Sequence, residues 1–359
     1  MKIRLPLLLL AILALLSGLW AGLLRLGWVW PAFQPGLPAL HGPLMVSGFL
    51  GTLISLERAI ALRQRIAYLP AILTGIGGGL LWSGVSQSAG MILVMLGSLG
   101  LVGLFGWIVW QHRVLHTAVM AVGTALWLVG NLLWLTGRPI HLAVWWWMGF
   151  LVLTIAGERL ELNRVLRLTR PVRGMFLAGT AVLLAGLLLT AYEYGWGIRL
   201  TGLGLCLLGG WLIRYDLARH NMRKSGLTRF IAICLFSGYI WLLIGGFLAI
   251  WYGAVAAGLG YDAILHAVFL GFTLSMIFGH APLIFPAILQ RPLPYHPRVY
   301  VPLFLLHLSL LLRVAGDLFV WTGLRQWGGL LNSLVLLLFL GNTLFAVTRG
   351  PARLTPKKS

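Results

Sequence analysis

Twelve apolar stretches, each about as long as a bilayer is thick, take up almost the whole chain. Their limits fall near residues 5–27, 38–60, 67–85, 90–110, 115–136 and 139–158 in the first half. In the second half they fall near 173–192, 197–214, 229–252, 260–289, 299–322 and 327–347. Backbone polar groups in hydrocarbon have no water to bond, so each stretch has to close its hydrogen bonds within a helix. The expected fold class is therefore all-α, a polytopic integral membrane protein of about twelve transmembrane helices. Only 9% of residues are charged, against about 25% in an average soluble domain. No connecting stretch can hold a soluble domain, so residues 1–359 read as a single transmembrane helical domain. The apolar run from Leu5 to about Trp28, behind Lys2 and Arg4, exceeds the about 7–15 residues of a secretory leader core and reads as a retained first helix.

A formal charge of +20 would point to nucleic acid in a soluble protein. Here the basic residues sit between apolar spans and report orientation instead. With the N-terminus inside, 27 Lys and Arg divide unevenly: Arg25, Arg138, Arg199 and Arg325 fall outside, Arg313 lies within the eleventh span, and all others fall inside. The expectation is a lipid-embedded protein with both termini cytoplasmic and no nucleic-acid partner. Cys206 and Cys234 each lie inside an apolar span and suggest neither a disulfide framework nor a metal motif. Trp145-Trp-Trp147, Trp110, Trp134, Trp321 and Trp327 fall near span ends, where an interfacial aromatic belt is expected.

Ionisable residues inside a membrane span are costly and mark functional sites. Of nine histidines, His41 opens the second span from the outer side and His266 enters the tenth at a similar depth. His280 lies fourteen residues beyond His266, roughly 21 Å along a helix, too far for both to bind one ion. Met45, Gly48, Thr52 and Ser55 follow His41 at offsets that share its face; the stripe suits either close helix packing or a flat prosthetic group. Two neutral imidazoles from facing helices hold haem iron in an apolar slot, which makes His41 and His266 the expected axial ligands. Either could instead leave the iron five-coordinate with Met45 or Met276 nearby. Arg313 inside the eleventh span is a candidate propionate partner, or an i,i+4 ion pair with Asp317. His280 and His307 form a second candidate metal pair in the inner half, beside Pro282 and Pro286, which are expected to kink the tenth span.

The segment His41-Gly-Pro-Leu-Met45-Val-Ser-Gly48-Phe49 resembles an H-x3-M-x2-G-F pattern of the NnrS family of bacterial membrane proteins. His266 with Met276 ten residues on is similar to that family's later histidine segment, and Leu312-Arg313-Val314 is also similar. The resemblance implies a haem protein of the bacterial cytoplasmic membrane, with b-type haem and copper as cofactors, linked to nitric oxide metabolism or tolerance in denitrifying bacteria. Its expected small partners are a diatomic gas or an electron donor. The chain departs from the pattern at Pro43, where the family has a second histidine, and at Gly279-His280-Ala-Pro, where it has Gly-His-Thr-Gly-Arg. More broadly the chain resembles subunit I of haem–copper oxidases, whose low-spin haem is held from helices two and ten. The paired histidines of that subunit's helix seven have no counterpart, so no complete terminal oxidase is expected.

Two other classes remain open from the residues. A cofactor-free transporter would use broken helices, and Gly75-Ile-Gly-Gly-Gly79 could mark one. A membrane enzyme acting on lipid or quinone could use Glu57, Glu158 or His280, although Glu57-Arg58 and Glu158-Arg159 suit interfacial ion pairing.

Overall fold

The computed structural model describes residues 3–291 and 294–349. Lys2, Arg353, Lys357 and Lys358 of the charge pattern, and Pro292 of the turn before the eleventh span, lie outside the described residues. Twelve helices are long and apolar enough to cross a membrane. The first six are α1 (Arg4–Arg25), α2 (Leu37–Leu62), α3 (Ile66–Ser83), α4 (Gln87–Gln111), α5 (Leu115–Leu135) and α6 (Ile140–Leu166). The rest are α7 (Arg170–Leu189), α8 (Tyr194–Tyr215), α9 (Gly226–Tyr252), α10 (Leu259–Leu289), α11 (Pro297–Leu318) and α12 (Thr322–Val347). Each apolar stretch read from the sequence meets one of them, with ends shifted by a few residues. No strand occurs among the described residues.

Short connections make sequence neighbours pack as antiparallel pairs, among them α3 with α4, α5 with α6, α7 with α8 and α11 with α12. The most enclosed helices are α6, α2 and α10, with 78%, 72% and 61% of their apolar windows buried, against 28% for α4. The bundle is therefore built around three helices, and two of these carry His41 and His266. Trp145 and Trp147 are fully buried on α6, because this helix is enclosed and their rings fill core space. That corrects the belt reading for these two. Trp110, Trp321 and Trp327 are exposed near helix ends, as the belt predicts.

Both histidine-bearing helices depart from α geometry at matching places. In α2 a π-helical segment, Leu44–Gly51, begins three residues after His41. In α10 a segment of the same length, Ala267–Leu274, begins at the residue after His266. A π turn takes up an extra residue per turn, so helical-wheel arithmetic fails across it. The stripe behind His41 accordingly turns toward α1 and α3: Gly48 packs on Ala14 and Gly78, and Thr52 donates to Thr74 Oγ1 at 3.1 Å. Close helix packing is what the small residues serve there. Ser47, at the centre of the same segment, donates to Asn131 Oδ1 and accepts from Trp127 Nε1, tying α2 to α5.

The glycine run at Gly75–Gly79 leaves α3 unbroken, since the α-helix continues from Leu69 to Ser83. Its function is proximity. A Cβ on Gly78 would stand 3.1 Å from the Gly48 Cα, a backbone atom that cannot swing away. Gly78→Val is expected to cost about 1–3 kcal/mol of stability through overpacking. Thermal unfolding in detergent checks this, and an unchanged midpoint would contradict the close approach. The tenth helix also runs through Pro282 and Pro286 to Leu289 as α-helix, so the prolines do not end it.

A part-buried histidine pair between α2 and α10

A tight 3-10 turn with Pro38 in its first positions, Leu37–Leu40, delivers His41 to the start of regular helix in α2. Its ring lies against α1, where Gly22 makes room: a Cβ there would stand 2.8 Å from His41 Cε1. One turn away Gly18 clears space for Met45 Sδ in the same manner and offers its backbone oxygen to His41 Nδ1 at 2.7 Å. On α10, His266 Nδ1 lies 2.9 Å from the backbone oxygen of Asp262 and 3.3 Å from its Oδ1.

A carbonyl oxygen only accepts, so Nδ1 carries the proton on both rings and Nε2 presents a bare lone pair. Neither Nε2 has a hydrogen-bond partner, and neither is sealed off by protein atoms. The two ring centroids lie 6.2 Å apart with planes 21° apart. Two imidazole nitrogens each about 2.0–2.1 Å from one metal ion, on opposite sides of it, would put ring centres about 6 Å apart. The centroid separation matches that value. The orienting carbonyls are the outer-shell partners that ligating histidines generally have.

The space around the pair has two compartments that meet at the histidines. An apolar one is lined by residues that include Leu23, Met45, Leu50, Leu270 and Leu336. A polar one includes Arg25, Arg313 and Arg325 in its wall. Both share His41, His266, Gly22 and Arg313. Asn332 at the apolar side holds Ser309 Oγ on its Oδ1, while its buried Nδ2 has no partner. An amphiphilic ligand with a flat apolar body, anionic substituents and a central metal matches this donor set and this division of the cavity.

Arg313 does not pair with Asp317 along its own helix. Its Nε and Nη2 grip Asp262 at 2.9–3.2 Å in a two-pronged contact across to α10. Asp317 instead meets Arg325 Nε at 2.7 Å, a close charge contact rather than an aligned hydrogen bond. Arg325 also reaches Asp262 at 3.7 Å. Arg313, Asp262 and His266 thus form a continuous polar chain from α11 to the His266 ring.

The other predicted residues lie apart from this pair. Met45 lines the apolar compartment, whereas Met276 is buried with its methyl against Gly238 on α9 and does not line the cavity. His280 uses both ring nitrogens on protein: Nδ1 bonds Met276 O at 2.7 Å, and Nε2 accepts from Arg159 Nη2 at 3.2 Å. His307 Nδ1 accepts from Trp241 Nε1 at 3.0 Å, which leaves the proton on a buried Nε2 that has no partner. His280 and His307 share no hydrogen bond, and each has found a partner of its own. Among the described residues no three His, Cys, Asp or Glu side chains converge to hold an ion by themselves. Glu158 forms an ion pair with Arg58 of α2 at 3.3 Å, rather than with its sequence neighbour Arg159.

Three participants escaped sequence reading. Gly18 and Gly22 on α1 give the second histidine helix its berth, and an i,i+4 glycine pair is the signal they leave. Asn332 leaves none, because an asparagine in an apolar helix does not reveal which neighbour it faces. Asp262 was legible as a residue one turn before His266, but not as the link to Arg313.

Fold and site together define a multi-pass α-helical membrane protein with a part-buried, oriented histidine pair. The chain belongs to the family described as "Domain of unknown function (DUF8744)", whose model matches residues 4–348. A search of the curated proteins finds no match.

Proposed function

We propose that this protein binds one b-type haem between α2 and α10, with His41 and His266 as its two axial ligands. The observation that carries the reading is the histidine pair itself: ring centroids 6.2 Å apart, both Nδ1 protons committed to carbonyls and both Nε2 atoms bare. When bound, the haem would supply one-electron chemistry, and a diatomic gas such as nitric oxide would reach its iron by displacing one of the two imidazoles. The chain's own residues supply the rest. The Gly18 and Asp262 carbonyls fix the ring orientations. Arg25, Arg313 and Arg325 give the polar compartment the positive charge that haem carboxylates require. Leu50, Leu270 and Met45 make the other compartment apolar.

The ligand positions, on the second and tenth helices, support a bundle like that of oxidase subunit I and agree with the NnrS resemblance. On this reading the protein sits in the bacterial cytoplasmic membrane with the haem in its outer half, and handles electrons or nitric oxide. Copper has no comparable support, since no ligand set beyond the histidine pair is assembled.

Protein purified from haem-sufficient cells tests the proposal by extraction and assay of its haem. The expected result is one protohaem per chain, released without covalent attachment. Nitric oxide added to the dithionite-reduced sample then distinguishes a gas-binding site, whose spectrum shifts, from an electron carrier, whose spectrum does not. A colourless chain would overturn the haem reading and bring the transporter class forward.

A further inference from the structure

At the end of the bundle opposite the histidine pair, three arginines from different elements line one cavity. Arg113 lies in the connection from α4 to α5, Arg164 in the last turn of α6, and Arg173 in the first turn of α7. Some arginines in this protein find partners: Arg58, Arg313 and Arg325 pair with carboxylates, and Arg4 bonds Tyr68 and a backbone oxygen. These three make no ion pair and no side-chain hydrogen bond among the described residues. Among the described residues no carboxylate lines the cavity, and Glu161 Oε1 stands 3.7 Å from His116 Nε2 at its wall. The three arginines are exposed, so solvent screens their mutual repulsion, and an anion bound among them would relieve what is left.

The remaining wall tells what kind of anion. Leu115 and Leu160 line the same cavity, so the arginines sit above apolar surface. The cavity also lies where three membrane helices end or begin, the level at which lipid headgroups meet protein. A phosphate diester with an attached acyl chain satisfies both features, and a free anion satisfies only the first. The three guanidiniums repel the ammonium group of a zwitterionic headgroup. Basic pockets between helices on the cytoplasmic side are the known form of such sites. We infer that Arg113, Arg164 and Arg173 form a binding site for an anionic glycerophospholipid at the inner face.

Native mass spectrometry of the full chain, in detergent supplemented with equal phosphatidylglycerol and phosphatidylcholine, tests the site. One phosphatidylglycerol is expected to be retained in preference to phosphatidylcholine. Each arginine near the surface contributes about fivefold in affinity. The triple variant R113Q/R164Q/R173Q should therefore bind about a hundredfold more weakly. R63Q/R65Q/R223Q removes the same number of inner-face charges away from the cavity and should bind as the unaltered protein does. Equal weakening in both triples would show a diffuse charge effect and overturn the site. So would equal retention of the two lipids. Displacement of the lipid by inorganic phosphate alone would assign the cavity to a free anion and overturn the lipid.

Discussion

His41→Ala and His266→Ala are each expected to reduce retained haem at least tenfold, and what haem remains should lose its low-spin absorption. Neither ring has a substitute. Among the described residues no third histidine lines either compartment, and the nearest sulfur, Met45, rests on Gly18 beside the cavity. The two variants should also be equivalent, because each removes one of two similarly oriented ligands. His280→Ala and His307→Ala provide the contrast. Their imidazoles bond Arg159 and Trp241 respectively, so their loss should lower stability while leaving haem content unchanged. Haem-to-protein ratios of the four purified variants check this. Equal haem loss in all four would mean that the fold, and not the outer pair, had been damaged.

Asp262→Ala should destabilise the protein by about 3–5 kcal/mol, because it leaves the buried Arg313 charge with no bonded partner. Arg325 is 3.7 Å from the same carboxylate and loses its contact too. Replacing both members, as Asp262→Ala with Arg313→Leu, should recover much of that loss, since an apolar pair no longer carries the desolvation cost. Haem binding should survive the single change better than stability does, because His266 Nδ1 keeps its bond to the backbone oxygen at position 262. Unfolding of the single and double variants in detergent checks both statements. If the double variant is no more stable than the single, the pair does not interact as described.

The architecture was legible because apolar length and basic loops are written directly in the sequence: all twelve helices lie where hydrophobic runs of bilayer length occur. The histidine pair was legible for a related reason. Topology assigns His41 and His266 the same depth, and depth restricts which residues can meet. What followed helical-wheel arithmetic was less secure. The stripe at Gly48 and Thr52 serves packing against α3, since a π segment turns it there. No composition rule marks Leu44–Gly51 or Ala267–Leu274 as π-helical, because the extra residue per turn is stabilised by neighbours in the bundle. Partner choice was equally hidden. Arg313 had an acid one turn away in its own helix, yet the tertiary fold gives it Asp262. Trp145 and Trp147 lie near a helix end but point inward, which the local sequence does not encode.

Low-temperature electron paramagnetic resonance of the oxidised protein tests the central claim most directly, because the signal reports how many strong axial ligands the iron has. Two imidazoles from His41 and His266 predict a low-spin ferric spectrum that converts to high-spin or disappears in either alanine variant. A high-spin spectrum in the unaltered protein, or no haem signal at all, would contradict an iron held between these two rings.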